Sequence, residues 1–261
     1  MTDYRPRPED ARFLQQAVLQ LPSALRALPA FSEADDALMA QVLEEAGKLA
    51  GEAIAPPDRD SDETGHRFAM HRIRDTQRAW IDGACLLAYR TAQQLDIARH
   101  PQNATQREKA ERWCRFITPV LKSVSDGTHT IQAIDLLVRK VLPDAGAAFA
   151  ACLLELRDEL DAGREQEADA QRRMAQLRYL GTSIALAAKA DPQLPYEVAD
   201  DYLRVAMLTL LGWAWARIER AAPADDPHWA APAQAFRRFV LPEFDMRLAM
   251  VKRACDSAAA R

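Results

Sequence analysis

Glycine is scarce in this sequence, and its scarcity excludes a large group of nucleotide-binding folds. The 261 residues include only nine glycines, and no two of them are closer than four positions. Phosphate-binding loops such as G-x-G-x-x-G and G-x-x-x-x-G-K-[ST] need closely spaced glycines, and neither pattern is present. β-Branched residues are few, whereas strong helix formers such as Ala, Leu, Arg, Glu and Gln are abundant. The composition therefore predicts an all-α protein.

Patterns that would hold a metal ion or a catalytic nucleophile are also missing. The four cysteines form no C-x-x-C pair, which argues against a zinc ribbon and favours free thiols in a reducing cytosol. No two histidines stand at H-x-x-x-H spacing, and the chain does not carry the two helical E-x-x-H motifs of a ferritin-like di-iron bundle. A G-x-S-x-G nucleophile motif is absent as well. We therefore expect no bound metal.

The sequence has no strong excess of one charge and no long apolar run. The net charge is −4 at pH 7 and both signs are mixed along the chain, so nucleic acid is not an expected partner. The first ten residues lack an apolar segment, so we expect no secretory signal and a cytoplasmic location. The most apolar run, Val205–Ile218, is shorter than the about 20 residues that a membrane span needs. It is predicted to be a buried central helix.

Apolar residues at helical spacing predict about eight helices with short connections, packed as a bundle. Ser32 is the predicted N-cap of the second helix, and Pro119 is expected to kink or end the fourth. The polar, breaker-rich stretch Pro56–Ala69 reads as a linker. We therefore predict an amino-terminal helical region over 1–60, a linker over 61–69 and a carboxy-terminal bundle over 70–261, the two helical regions forming one compact unit.

Single residues carry little chemical information by themselves. Asp126 precedes a predicted helix start, and capping that helix explains it better than a chemical role. Five aromatic residues lie at helical spacing, so a place in the core explains them better than a ligand cage: Trp80, Tyr89, Tyr202, Trp213 and Trp215. From residue patterns alone the chain is a helical bundle with no assigned chemistry.

Three longer segments resemble the flavin-dependent acyl-CoA dehydrogenases. The segment Ser125–Lys140, SDGTHTIQAIDLLVRK, resembles that family's Y-E-G-T-x-x-I-Q-A-x-D-L-x-x-R-K segment. The segment Phe31–Asp62 looks like its amino-terminal L-E-E-A-x-K-x-A-x-x-x-x-A-P-x-x-R pattern. Tyr196–Ala221, together with Phe236–Leu248, is similar to the carboxy-terminal extension of the subfamily that acts on thioether-bearing and other short acyl-CoAs. The resemblance implies a multi-helix bundle built from the terminal helical regions of such an enzyme.

The same resemblance implies that the flavin-binding middle β domain is absent. The predicted linker leads directly into the helix Met70–Arg99, which resembles a helix of the family's carboxy-terminal bundle. The family's glycine-rich V-x-G-G-x-G element is missing near Lys122–Ser125, in keeping with the scarcity of glycine. Without flavin there is no hydride acceptor, because side chains do not supply that chemistry. We expect no cofactor, and FAD only if a partner subunit provides it.

Asp126 aligns with the glutamate that serves as the family's catalytic base. Aspartate is shorter by roughly 1.5 Å, the length of one C–C bond, which is damaging for proton abstraction. The resemblance therefore implies a non-catalytic, degenerate enzyme that binds a partner protein, itself, or an acyl-type or apolar ligand. The candidate pocket residues are Thr128, Tyr202, Trp213 and Trp215, beside the central helix.

The resemblance leaves a second interpretation open. The parent bundle forms the oligomer core in that family, so a homodimer or a hetero-oligomer with a full-length homologue is expected. In a hetero-oligomer the chain would be a subunit of a flavin-dependent dehydrogenase, with Asp126 in the position of the base. Either interpretation places the protein in fatty acid metabolism.

Overall fold

The computed structural model describes residues 7–32, 35–53, 67–126, 129–223 and 226–259. Within these ranges the chain forms eleven helices and contains no strand, and three short helical turns lie between them, Pro29–Phe31, Leu142–Asp144 and Leu194–Glu197. The predicted all-α class is therefore confirmed. None of the described helices is long and apolar enough to cross a membrane.

The helices alternate with short connections, as the spacing of the apolar residues predicts. In chain order they are α1 (Pro8–Arg12, continued by a π-helical segment, Phe13–Val18), α2 (Leu21–Arg26), α3 (Asp36–Ala53), α4 (Arg67–Arg99), α5 (Ala104–Asp126), α6 (His129–Ile134, continued by a π-helical segment, Asp135–Val141), α7 (Ala147–Asp158), α8 (Glu165–Ala187), α9 (Ala199–Ala221), α10 (Pro227–Ala235, continued by a π-helical segment, Phe236–Val240) and α11 (Glu243–Ala259). Most of the predicted helices therefore exist, with ends that differ by a few residues.

Helix α9 forms the centre of the molecule. Every residue from 205 to 218 is buried except Arg217, as expected for a helix that is apolar on all sides. Helices α4, α6, α8 and α11 pack around it. The buried hydroxyl of Thr209 donates to the carbonyl of Val205 at 2.8 Å, so this polar group is satisfied inside the helix. The prediction of a buried central helix is confirmed.

Helices α4 and α9 approach each other closely at Gly83. A Cβ at this position would lie 2.9 Å from Cδ2 of Leu211 and 3.2 Å from the indole nitrogen of Trp215, so only glycine fits without movement. The same indole N–H donates to the carbonyl of Ala79 at 2.8 Å. This bond fixes the position of α4 along α9, and with it the side chains that follow on α4.

The amino-terminal helix α1 is held by residues from the far end of the chain. The ring of Phe13 stacks on Trp229 of α10, with 4.6 Å between the ring centroids. Asp10 lies 2.7 Å from Nε2 of His228, and Arg78 of α4 contacts the same imidazole. In addition, Arg217 donates to the carbonyl of Val18 at 2.8 Å. Helix α1 therefore closes the bundle instead of forming a separate unit.

Some predicted element boundaries are wrong. The N-cap of α3 is Asp35, whose carboxylate accepts from the backbone N–H of Leu38 at 2.8 Å, and not Ser32. Helix α5 runs without interruption through Pro119, because a single missing N–H does not end a helix whose neighbours hold it in place. The last predicted helix is two helices, α10 and α11, separated at Leu241–Pro242.

The predicted division into regions is not tested by these helices. Residues 61–66, most of the predicted linker, lie outside the described residues. Helix α4 begins at Arg67, so residues 67–69 of the predicted linker are helical. On α3, the apolar residues Leu38 and Val42, which share one face at four-residue spacing, are 48% and 60% exposed. Helix α3 therefore lies at the periphery of the bundle, against α1.

Candidate ligand cavity

A cavity of about 600 Å³ lies between α4, α5 and α9. Helix α4 provides one wall, the end of α5 a second, and the start of α9 the third. Its lining is predominantly apolar and consists of Trp80, Ile81, Ala84, Cys85, Ala88, Leu121, Ser123, Val124, His129, Arg204 and Met207. A volume of this size falls in the range of small-molecule sites, about 300–1,000 Å³.

The volume exists because α4 presents small side chains at this point. Trp80, Ala84 and Ala88 follow one another at four-residue spacing, so they share one face of the helix. The two alanine side chains end at Cβ and do not fill the space opposite Met207 of α9. The indole N–H of Trp215 donates to the carbonyl of Ala79, the residue before Trp80. This bond fixes the position of Trp80 relative to α9. The cavity is thus a consequence of side-chain size on a fixed helix pair.

Arg204 marks the polar end of the cavity. Its guanidinium group lies 4.6 Å from the centroid of the Trp80 ring. Two of its nitrogens, Nε and Nη2, each donate to one carboxylate oxygen of Glu243 at 2.9 Å. The third nitrogen, Nη1, contacts only the sulfur of Met207, at 3.5 Å, and has no oxygen acceptor among the described residues. One strong hydrogen-bond donor at the cavity wall is therefore free.

The charges around this end have an excess of carboxylates. Arg247 donates to Asp201 at 2.6 Å and to Glu243 at 3.0 Å, and lies 3.8 Å from Asp200. Two guanidinium groups thus face three carboxylates. A small hollow of about 190 Å³, which shares His129, Arg204 and Met207 with the cavity, lies among these groups. The excess of negative charge disfavours an anionic ligand at this end.

Glu243 links the two arginines, and its removal is expected to lower the free energy of unfolding. Burial alone would raise its pKa, but hydrogen bonds and charge from Arg204 and Arg247 hold the pKa below its ordinary value of 4.5. The hydrogen bonds from Arg204 and Arg247 to Glu243 therefore stabilise the fold above pH 4.5. This stabilisation is lost as the pH falls through the lowered pKa of Glu243. We expect Glu243→Gln to cost about 1–2 kcal/mol at pH 7 in urea unfolding.

The pH dependence gives the control for this variant. The difference in stability between the wild type and Glu243→Gln should shrink below pH 4.5, because the wild-type carboxylate then becomes protonated. The substitution Asp245→Asn, two residues further along α11, removes an exposed carboxylate for which no ion pair is found among the described residues. Its effect should stay within about 0.5 kcal/mol. A difference for Glu243→Gln that is constant from pH 3 to 7 contradicts this account.

Cys85 is the thiol in the cavity wall, and it is poorly suited to act as a nucleophile. Burial raises the pKa of its thiol, and the nearby carboxylate of Asp82 raises it further. At neutral pH the thiol stays protonated, and the protonated form reacts slowly. The part of the chain that the structure describes also contains no group of three or more His, Cys, Asp or Glu side chains that could hold a metal ion. Cys85 therefore contributes a protonated thiol to the cavity wall.

The sequence-predicted residue Asp126 is close in sequence to two residues that line the cavity. Its backbone forms the last position of α5, whereas its side chain and the whole of Thr128 lie outside the described residues. Val124 and His129, which flank this segment, both line the cavity. Of the segment Ser125–Lys140, singled out by the family resemblance, the described residue His129 therefore lines the cavity.

The predicted aromatic pocket residues are in the core. Tyr202 and Trp213 have no exposed surface and do not line the cavity. Burial raises the pKa of the Tyr202 hydroxyl, which has no hydrogen-bond partner among the described residues. Trp215 is 1% exposed and contributes to a separate hollow of about 200 Å³ near α8 and α10. Their burial agrees with the interpretation of these aromatics as core residues.

Three of the side chains that line the cavity, Trp80, Met207 and Arg204, are not singled out for binding by the sequence. Trp80 belongs to the aromatic residues predicted in the core, yet it is only half-buried. The available signal was the alternation of one large and two small residues, Trp80, Ala84 and Ala88, on a single helical face.

Comparison with known proteins found no relative of this chain. No protein-family model, curated protein or solved structure matches the chain. The resemblance to acyl-CoA dehydrogenases therefore stays a prediction, as do the predicted homodimer and hetero-oligomer. The cavity geometry carries the functional interpretation by itself.

Proposed function

We propose that the protein binds a neutral, predominantly apolar molecule of the acyl type in the cavity between α4, α5 and α9, without catalysing a reaction on it. The observation that carries the proposal is the predominantly apolar lining of a volume of about 600 Å³, together with Nη1 of Arg204 in its wall, which has no oxygen acceptor among the described residues. Sites for small molecules combine these two features, an apolar wall and a few polar groups that orient the ligand.

The apolar wall supplies the binding free energy. Transfer of a CH₂ group from water to an apolar site contributes about 0.8 kcal/mol, so an eight-carbon chain gains on the order of 6 kcal/mol before the cost of its ordering. Met207 suits an alkyl chain, because its flexible thioether adapts to ligands of different shape. The cavity therefore fits a chain of medium length better than a compact polar metabolite.

The polar end selects a neutral head group. The free Nη1 of Arg204 would donate to a carbonyl oxygen, as in an ester or a thioester. A free carboxylate would meet the surplus of negative charge from Glu243, Asp200 and Asp201. The resemblance of Ser125–Lys140 to an acyl-CoA dehydrogenase segment supports the same ligand class.

Titration with methyl octanoate and with octanoate, followed by calorimetry, tests this proposal. We expect the ester to bind and the free acid to bind at least about fivefold more weakly, because of the carboxylates at the polar end. The substitution Ala84→Phe places a ring in the cavity and should weaken binding of the ester at least tenfold. Helix α4 also carries Ala92, which is exposed and does not line the cavity.

Ala92→Phe is therefore the matched control for Ala84→Phe and should bind the ester like the wild type. Circular dichroism of both variants checks that α4 and its neighbours remain folded. If the ester does not bind to the wild type, or binds equally well to Ala84→Phe, the cavity is not the binding site. If octanoate binds as tightly as the ester, the argument from charge is wrong.

A further inference from the structure

The hollow of about 200 Å³ between α8, α9 and α10 is not used by the function proposed above. Its floor is apolar and includes the buried residues Trp215 and Ala216 of α9 and Phe236, which follows α10. Its rim carries charged side chains of α8, among them Glu165 and Arg173. The hollow therefore joins an apolar surface to charges of both signs.

Gly212 gives the hollow part of its volume. It lies in the middle of α9, where glycine is less favourable for a helix than every residue except proline. A Cβ at this position would meet no atom within 4 Å, so packing does not require glycine here, in contrast to Gly83. Gly212 is one of the residues that line the hollow. It therefore enlarges the hollow and makes α9 less stable than alanine would.

Arg173 has hydrogen-bond donors that the fold does not use. The residue is only 9% exposed, and its Nη2 donates to Asp169 at 2.6 Å. Its Nε and Nη1 have no acceptor among the described residues, and neither nitrogen is sealed inside the core. Because Arg173 lines the hollow, these N–H groups are available there to a ligand. Asp169 also pairs with Arg172, so two guanidinium groups share one carboxylate and a positive charge is left over.

Helices α8 and α9 run antiparallel, which places Arg173 at one end of the hollow. Arg220 donates to Glu167 at 3.0 Å, so the end of α9 lies beside the start of α8. Further along, the hydroxyl of Tyr202 lies close to Gly181. Arg173 is therefore level with the middle of α9, where the glycine opens the floor.

Glu165 marks the other end of the hollow. Its side chain is exposed, and no ion pair or hydrogen bond to it is found among the described residues. The carboxylate of Glu219, which also lines the hollow, is already paired with Arg237. The eight residues from Glu165 to Arg173 correspond to about 12 Å along the helix axis. The hollow thus has a free carboxylate at one end and a surplus positive charge at the other.

We propose that this hollow binds a small ω-amino acid with a chain of four or five carbons. The carboxylate of the ligand would accept from the unused N–H groups of Arg173 in a charge-assisted hydrogen bond. Its ammonium group would pair with Glu165, and its methylene groups would lie on Trp215 and Phe236. An α-amino acid carries both charges on one carbon atom and its neighbour, so it is too short to reach both ends.

Titration with 5-aminopentanoate, followed by calorimetry, tests the proposal. We expect this compound to bind to the wild type. Norvaline, its isomer with both charges at one end, and pentylamine, which lacks the carboxylate, should bind at least about tenfold more weakly, because each loses a hydrogen bond between charged groups. Pentanoate, which lacks the ammonium group, should bind about threefold more weakly, since Glu165 is exposed.

Glu165→Gln tests the position of the ammonium group. In this variant 5-aminopentanoate and pentanoate should bind alike, because the charge that distinguishes them is removed. Glu111→Gln, which changes an exposed carboxylate of α5 away from the hollow, is the matched control and should keep the difference. Absence of 5-aminopentanoate binding to the wild type overturns the proposal, as does a preference for it over pentanoate that survives in Glu165→Gln.

Gly212→Ala separates binding from a structural role. Alanine favours the helix and its methyl group has room, so the melting temperature of the ligand-free protein should rise by roughly 2–4 °C. The methyl group also reduces the hollow, so binding of 5-aminopentanoate should weaken. Full affinity in Gly212→Ala, or a fall in its melting temperature, contradicts the assignment of this glycine to a binding site. Ala84→Phe, which fills the other cavity, should bind 5-aminopentanoate like the wild type, so the two proposals fail independently.

Discussion

Replacing Glu159 by alanine is expected to lower the free energy of unfolding by about 3 kcal/mol, because two partly buried guanidinium groups lose the carboxylate that they share. Glu159 follows α7 and bridges two arginines, Arg90 of α4 at 2.7 Å and Arg217 of α9, which it contacts closely. The side chain of Arg217 is only 13% exposed, and burial lowers the pKa of its guanidinium group. Without Glu159, Arg90 and Arg217 would remain next to each other with no carboxylate between them.

Urea unfolding followed by circular dichroism measures this loss. The neighbouring substitution Asp158→Ala is the matched control, because Asp158 pairs with Arg157 at the surface and its side chain is 67% exposed. An exposed pair of this kind contributes at most about 1 kcal/mol. Equal effects of Glu159→Ala and Asp158→Ala would show that the bridge between α4, α7 and α9 does not hold the fold together.

Replacing Trp215 by alanine is expected to cost a similar amount, about 3–5 kcal/mol, for a different physical reason. Trp215 is 1% exposed and its ring stacks on Phe236, with 6.3 Å between centroids. Its indole N–H also holds the carbonyl of Ala79. The alanine variant leaves an unfilled volume at the close approach of α4 and α9, and it releases the part of α4 that carries Trp80.

Trp215→Phe separates these two contributions. Phenylalanine keeps much of the ring volume and removes the hydrogen bond, so its cost should be nearer to 1–2 kcal/mol. Both variants should weaken binding of methyl octanoate, since the cavity wall loses its anchor at Ala79. Full ester affinity in Trp215→Ala would mean that the position of α4 does not depend on this bond.

The sequence predicts the helices well because their signals are local. The buried central helix follows from one apolar run, and α4 follows from apolar residues at helical spacing between two breaker-rich stretches. Caps are local too, but Ser32 and Asp35 are both good N-cap residues. Which of the two caps α3 depends on the residue at which the helix begins, and the spacing of the apolar residues does not determine that residue.

The cavity is not predictable in this way, because it depends on residues that meet only in the folded chain. Trp80, Val124 and Met207 come from three helices far apart in sequence. In addition, α9 is apolar on all sides, so its pattern does not reveal that Met207 faces a cavity while Trp213 faces the core. An apolar pattern shows that a helix is buried and leaves the identity of its neighbours open.

A π-helical turn accounts for a further difference, on α6. The α-helical spacing predicts Ile131, Ile134, Leu137, Val138 and Val141 as the apolar residues of this helix. In the structure Leu137 and Val141 are buried, as are Ala133 and Leu136, whereas Ile131 is 65% exposed. The segment Asp135–Val141 is wound more widely, which changes the angle between successive side chains, so that Leu136 is buried together with Leu137. A rule based on 3.6 residues per turn does not foresee this change.

The contacts of α1 set an order of events during synthesis. Asp10 meets His228 across 218 residues of chain, and Val18 meets Arg217 across 199. At 5–20 residues per second, the ribosome needs roughly 10–40 seconds to make the chain between Asp10 and His228. During that interval Leu14 and Val18, which are buried in the finished molecule, lack the contacts with α9 that complete their burial. Helix α1 is therefore among the last helices to be held in place, and its apolar face stays incompletely covered until α9 and α10 emerge.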